Sequence, residues 1–329
     1  MSVCALPEAA LPPALARRHR RWKADVASMQ AIPGWDVSCL QTTAGPLEGE
    51  SQDLYLDDFQ LLYESFRNGT TNFVGSAPAG TIIVGVATRM RERGRFDGLS
   101  WGDGVCAFDA RRELNSIVPP ANLLSLVVSR ERLCDYVEHT EHIDLERKLA
   151  RGAIVINDPL LADHVAGRLM ELLAAAFTVA LDLQVPALQR SIQHRALELL
   201  VPVIVEHLDV CASRRPETSH METVRRAREH AREHITQPLQ VIDLCRAVGV
   251  SRRTLQASFQ TVLGISPLAY LRTMRLNGAR HALLHGTPGM KVRDAVEGWG
   301  FWHPSRFSQE YRRMFGELPS RTLQRRQQG

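Results

Sequence analysis

The chain has 329 residues, enough for about two domains, and its 40 Lys/Arg against 36 Asp/Glu leave a net charge of +4. The excess is uneven: residues 221–329 carry 18 Lys/Arg and 8 Asp/Glu, whereas residues 1–220 carry 22 and 28. A basic C-terminal part on a mildly acidic N-terminal one suits a polyanion-binding module joined to a sensing or assembly module.

The six cysteines are scattered with no C-x-x-C pair, which argues against a disulfide scaffold or a cysteine zinc site and fits reduced thiols. No apolar run reaches the ~18–20 residues of a membrane span; the longest, Met170 to Leu181, is broken by Glu171. At the N-terminus Pro7, Pro12 and Pro13 precede the basic run Arg17–Arg21. That order is wrong for an export signal, so a frayed start in a cytoplasmic, membrane-free protein is expected.

Residues 54–128 read as β-rich. Leu54–Leu56, Thr81–Val86, Val105–Phe108 and Leu123–Val128 are short apolar runs separated by Gly, Asn, Asp and Pro. Close-spaced strands predict a sandwich or small barrel. A helix over Ser129–His139 follows, with Ser129 as N-cap and Glu131 in the first turn. From 159 the spacing turns helical, through Leu160, Leu161, Val165, Leu169, Leu172, Leu173, Ala176 and Val179, then from Pro186 through Leu188, Ile192, Leu197, Leu200 and Ile204. Pro202 should kink or interrupt that second helix. The apolar faces suit either the chain's own sheet or a second subunit. Ser213–His220 reads as a linker, and a charged helix over Met221–Thr236 opens the C-terminal part.

Two helix-turn-helix patterns then follow, at 241–262 and 292–315. In each, a short apolar helix runs into a glycine, Gly249 or Gly300, where the chain must reverse and a positive φ is tolerated. Leu244, Val248, Val250, Leu255 and Phe259 have the spacing of buried positions. Arg252, Arg253, Gln256, Ala257 and Gln260 are left on or near the opposite face. In the second pattern Val292, Val296, Phe301, Phe307 and Tyr311 are the expected buried set. Pro304 can begin its second helix, with Ser305, Arg306 and Gln309 outward. Guanidinium and carboxamide groups suit major-groove base edges, Arg for guanine and Gln for adenine.

Gly264-Ile-Ser-Pro267, Tyr270-Leu271, Arg275, Ala279, Leu283-Leu284, Gly300-Phe301, Phe307-Ser308, Gly316 and Pro319-Ser320-Arg321 together resemble the AraC/XylS family of bacterial regulators over about 225–326. The resemblance implies an all-α domain with two helix-turn-helix units joined by a long helix, here Pro267–Leu284, reading successive major-groove segments. Carried over by position, the base readers are Arg253, Gln256 and Ala257 in the first unit, and Pro304, Ser305, Arg306 and Gln309 in the second. Ala257 offers only an apolar contact and Pro304 cannot donate, so the first reader should carry more hydrogen-bonded discrimination. Ala295-Val296 departs from the family's usual bulky-then-small pair.

The N-terminal half is similar to the sensing domains of the same regulators, and around Leu56–Gln60 and Leu123–Arg132 to the ethanolamine-utilisation regulator. This implies a β-rich ligand-binding domain followed by dimerising helices. Tyr63, Phe66, Phe73, Trp101 and Phe108 are the candidates for an apolar pocket, with core packing as the other fate of each.

Gly98-Leu-Ser100-Trp-Gly102 fits the G-x-S-x-G elbow of a serine hydrolase, but that motif needs a helix behind it, and a strand-like run follows instead. His139, His142, Asp144 and Glu146 could be heard as metal ligands, as could His230 and His234; solvated surface is the expectation for both groups. No phosphate-binding glycine loop is present.

The expected fold class is thus α+β. A sensing and dimerising domain occupies 1–212 (β-rich about 54–128, helical 129–212), a linker 213–220, and the DNA-binding domain 221–329. The expected function is a ligand-responsive activator of a catabolic or adaptive operon, with no catalysis, cofactor or metal. Its partners would be promoter DNA, RNA polymerase, a small-molecule effector and a second copy. The alternative is a ligand-independent DNA-binding regulator whose N-terminal half only oligomerises.

Overall fold

The computed structural model describes residues 17–23, 32, 34–56, 59–149, 152–178, 185–211, 218–235, 237, 239–287 and 289–328. The core of the expected linker, 213–217, and the N-terminal prolines lie outside these. Among the described residues there are twelve strands: β1 Arg17–Lys23, β2 Asp36–Gln41, β3 Glu48–Leu56, β4 Phe59–Asn68, β5 Thr71–Ser76, β6 Thr81–Thr88, β7 Gly94–Phe96, β8 Leu99–Trp101, β9 Gly104–Asp109, β10 Leu114–Val118, β11 Ala121–Ser129 and β12 Ile154–Ile156. They form two antiparallel sheets, one ordered β1-β3-β4-β11-β6-β9-β12 and the other β2-β5-β10-β7-β8.

Period-2 alternation explains the layering. On β6, Ile82, Val84 and Val86 point to one core while Ile83 and Ala87 point to another. β9 repeats this with Val105 and Ala107 against Cys106 and Phe108. One of these cores fills the space between the sheets; the other lies under the helices α1 Arg130–Glu141, α2 Leu145–Leu149, α3 Pro159–Thr178 and α4 Pro186–Cys211. Strands buried on both faces read as continuous apolar runs, which is why β6, β9 and β11 stand out in the sequence.

Several expectations change. Arg17–Arg21, read as a frayed start, belongs to β1, which pairs with β3 from Arg17↔Leu54 to Lys23↔Glu48. Backbone pairing, which carries no sequence signature, decides there. Helix α4 runs unbroken through Pro202. That proline lies on the exposed face, where water can satisfy the carbonyl it leaves without a donor. The apolar sides of α3 and α4 (Val165, Leu169, Leu173, Leu197, Leu200, Ile204) join the core beneath the seven-stranded sheet. Of the two fates left open for them, their own sheet takes these residues; Leu160 does not follow, being 84% exposed, and Val179 lies outside the described residues. Ser129 caps α1 as expected, its side chain accepting from the Arg132 N–H.

The C-terminal part is all helix: α5 Thr218–Glu233, α6 Val241–Val248, α7 Arg252–Leu263, α8 Pro267–His285, α9 Val292–Gly298, α10 Pro304–Phe315 and α11 Pro319–Gln328. It holds two small cores. One gathers α5, α6, α7 and the start of α8, and the other the end of α8 with α9 and α10. Trp299 packs against both.

Candidate nucleic-acid interface

Each helix pair is built by the same local rules. Gly249 ends α6 in the left-handed region (φ 71°), and its N–H donates to the Cys245 carbonyl at 2.9 Å. Gly300 has φ 70° after α9, and the Phe301 N–H donates to the Val296 carbonyl at 3.0 Å. Only glycine adopts that conformation without a Cβ penalty. A carboxylate in the first turn of each leading helix reaches back to the backbone: Gln240 N–H donates to Asp243 at 2.8 Å, and Lys291 N–H to Asp294 at 2.8 Å. Ser251 caps α7, accepting from Thr254 N–H, and Pro304 occupies the first turn of α10.

The expected buried set holds in the first pair, with Leu244, Val248, Leu255 and Phe259 buried and Val250 half-buried. In the second, Val296, Phe307 and Tyr311 are buried, and Val292 and Phe301 half-buried. Ala295 and Val296 are both enclosed. Tyr311 anchors α10: its hydroxyl donates to Thr322 on α11 at 2.9 Å and accepts from Arg280 on α8 at 3.2 Å. Burial raises the Tyr311 phenol, against the lowering effect of Arg280 and Thr322. Arg280 is itself 3% exposed, paired with Glu317 at 3.1 Å and stacked over Phe315 at 4.6 Å.

All the candidate readers are exposed: Arg252, Arg253, Gln256, Ala257 and Gln260 on α7, and Pro304, Ser305, Arg306 and Gln309 on α10. Their states differ. Gln260 donates from Nε2 to the Gly264 carbonyl at 3.2 Å, and Arg306 is tied to Glu310 at 2.9 Å, a carboxylate also held by Arg272. The sequence reading missed Trp302, 77% exposed in the turn before α10. A large indole beside Phe301, outside the spacing of the buried set, was its only signal.

A second candidate site lies between the two sheets. A cavity of about 90 Å³ is lined by Phe73, Trp101 and Phe108 of the expected pocket residues, with Trp35, Phe96 and Glu64. Tyr63 and Phe66 pack into cores instead. Burial raises the Cys39 thiol, and it pushes that of Cys106 up to about 12 against a lowering hydrogen bond from Gly85. Both sulfurs are therefore protonated and offer no nucleophile. Ser100 sits in β8, with turn residues before it and Asp103 and β9 after it. The helix a nucleophile elbow requires is not there. His139 lies in the last turn of α1 and His142 beyond its end. Among the described residues, the one group of ligand atoms within 4.8 Å of one another is that of His230, Glu233 and His234.

Residues 244–325 match the family described as a helix-turn-helix domain. The "Probable thc operon regulatory protein" of Rhodococcus erythropolis is 42% identical over 101 residues, 30% of this chain and 30% of that one. "XylDLEGF operon transcriptional activator 1" of Pseudomonas putida is 29% identical over 222 residues, covering 67% of this chain and 51% of that one. A solved probable AraC family transcriptional regulator from Rhodopseudomonas palustris is 34% identical, covering 32% of this chain and 97% of that one, with a TM-score of 0.30. The matched stretches span about a third to a half of the two named relatives' lengths. The C-terminal part is a helix-turn-helix domain of the DNA-binding transcription-regulator class. That domain is of AraC type, and the matching relatives are named as regulators. No helix among the described residues is long and apolar enough to cross a membrane.

Proposed function

We propose that the whole chain is a cytoplasmic, ligand-responsive transcription activator in which both helix pairs act as helix-turn-helix units. The observation that carries this is the repetition itself. Behind each positive-φ glycine stands a helix, begun by the Ser251 cap or by Pro304, with its apolar side buried and an Arg- and Gln-bearing side open. Arg253, Gln256 and Ala257 in α7, with Arg252 and Gln260 beside them, read one major-groove segment. Pro304, Ser305, Arg306 and Gln309 in α10 read the next. Gly249 and Gly300 set the turns. Surface Arg and Lys hold phosphates, which position the protein without conveying sequence.

Residues 1–212 form the sensing domain and 221–329 the reading domain, joined through 213–220, whose last three residues already belong to α5. The aromatic-lined cavity takes a small, mostly apolar effector, and occupancy shifts the protein only as far as the effector binds one arrangement better than another. The names of the relatives, operon activators among them, favour activation of a catabolic or adaptive operon, in concert with RNA polymerase and a second copy of the chain.

The test is selection of bound sequences from a random DNA pool with the purified chain, at stated salt. Enrichment of two short blocks about one helical turn (~34 Å) apart is the expected result. A single enriched block would remove α10 from the readers, and no enrichment with or without a metabolite mixture would overturn the reading. Calorimetry against a panel of small apolar metabolites then tests the cavity. Heat that survives a bulky substitution at Phe73 would place any effector elsewhere.

A further inference from the structure

We infer that the segment from the end of β2 into its turn, Gln41 to Gly45, is a positioning element for α10, and that it sets how the two helix pairs are presented to DNA. The inference rests on the reading above, in which both pairs contact DNA.

The last carbonyls of any helix lack intrahelical donors. In α10 the Arg312 carbonyl is satisfied by Gly316 N–H at 2.9 Å, from a left-handed cap with φ 75°. The next two receive donors from the N-terminal domain. Gly45 N–H lies 3.2 Å from the Arg313 carbonyl and 3.0 Å from that of Met314, and Gln41 Nε2 donates to Met314 at 2.9 Å. The terminus of a candidate reader helix is thus completed by a turn some 270 residues earlier in the chain.

Gln41 is well held for this task. Its side chain is 1% exposed, and the same Nε2 donates to the Thr43 and Gly45 carbonyls. Its backbone is gripped from the other side by Asn277, in the middle of α8. The Gln41 N–H donates to Asn277 Oδ1 at 3.1 Å, and Asn277 Nδ2 donates to the Gln41 carbonyl at 3.0 Å. A second hydrogen bond, from Asn277 Nδ2 to the Thr273 carbonyl at 2.8 Å, fixes that carboxamide on its helix.

The same sheet also holds the half that carries the first pair. Arg232 Nη2 donates to Ser38 Oγ at 3.0 Å and Arg228 Nη1 to Asn115 Oδ1 at 3.4 Å, both from α5, while Leu40 and Ile117 pack on the first core. One sheet therefore touches α5, α8 and α10, which belong to both halves of the reading domain. None of the candidate readers is covered by it, so its effect is on their mutual placement and not on their access.

The strands involved also line the cavity. Val37 and Cys39 of β2, and Leu114, Ser116 and Val118 of β10, face inward. Their alternate neighbours Ser38, Leu40, Asn115 and Ile117 meet the reading domain. A shift of either strand is felt on both sides.

Hydrogen exchange read by mass spectrometry on the full chain tests the docking without DNA. Gln41→Ala should speed exchange across 304–316 and leave 252–263 at the wild-type rate; unchanged exchange over 304–316 overturns the inference. Faster exchange in every element would mean a lost fold, and Asn277→Ala, which removes the grip from the other domain, then decides. General loosening in both variants overturns the inference too.

Binding to selected two-block sites with inserted base pairs supplies the functional arm. The wild type should prefer one spacing. Both variants should lose affinity for that spacing on the order of tenfold, with the preference flattened and base discrimination at the α7 block kept. An equal loss at both blocks marks a merely structural role and overturns the inference. A wild type that selects no DNA at all defeats the functional reading, while the exchange arm still decides the docking.

Discussion

Asp109 ends β9 with its carboxylate 2% exposed. Burial alone would raise its pKa, but hydrogen bonds from Arg111 (2.7 Å) and Arg130 (2.7 Å) outweigh that and hold the carboxyl below the ordinary aspartate range. A folded-state pKa below the unfolded one stabilises the fold at pH values above the unfolded value, and this contribution is lost as pH falls through the folded value. The expected result is a fall in thermal midpoint below about pH 4 that is smaller in Asp109→Asn. At neutral pH that variant should already be destabilised by about 2–3 kcal/mol. Equal acid sensitivity in the two proteins would remove Asp109 from the account. Among the readers, Arg253→Ala should relax preference at one or two base positions at a cost of about 1–3 kcal/mol. Equal losses on specific and random DNA would strike it from the list.

At the scale of the element, α8 carries a prediction whose sign runs against propensity. Gly→Ala inside a helix normally stabilises by about 1 kcal/mol. At Gly278 an added Cβ would stand 2.1 Å from the Trp299 ring. Trp299 is the residue that touches both C-terminal cores, so it cannot move aside cheaply. Gly278→Ala should therefore destabilise the chain by about 1–3 kcal/mol, read as a lower denaturant midpoint; a rise would show that Trp299 repacks freely. Nothing in the sequence announced this contact, because the partners lie on different helices and neither breaks the pattern of its own. The helix pairs themselves were legible, since a glycine between two amphipathic runs, a serine or proline at the next start and the spacing of Leu255 and Phe259 all agree. The strands were legible only where both faces are apolar. β2, β5 and β10 carry mixed residues such as Asp36-Val-Ser-Cys-Leu-Gln41 and were missed, because their faces differ too little for alternation to show; β1 is an almost wholly basic run with no alternation to read.

At the scale of the molecule, the uneven charge was visible in the sequence, and how the two halves meet was not. Their contact joins polar groups such as Gln41, Asn277, Ser38 and Arg232 with the side chains of Leu40 and Ile117, residues that look like any mixed surface until brought together. The charge itself predicts the salt response. The logarithm of affinity should fall linearly with that of salt concentration, at a slope of about 0.9 per phosphate neutralised. Lys291, exposed at the start of α9 and outside the candidate readers, tests this. Lys291→Ala should weaken specific and random DNA alike and flatten the slope by roughly 0.9, whereas a change in sequence preference would make Lys291 a reader.

β2 is the outermost strand of its sheet, and the Asn277 carboxamide occupies both backbone groups of Gln41 at its end. Such an unpaired border is a template for another chain's backbone, and here an asparagine from the reading domain acts as its stopper. Any state in which the halves part uncorks that border. Domain opening and self-association then become a single equilibrium, and Asn277→Ala should sediment, as its concentration rises, as species larger than any the wild type forms at the same concentrations.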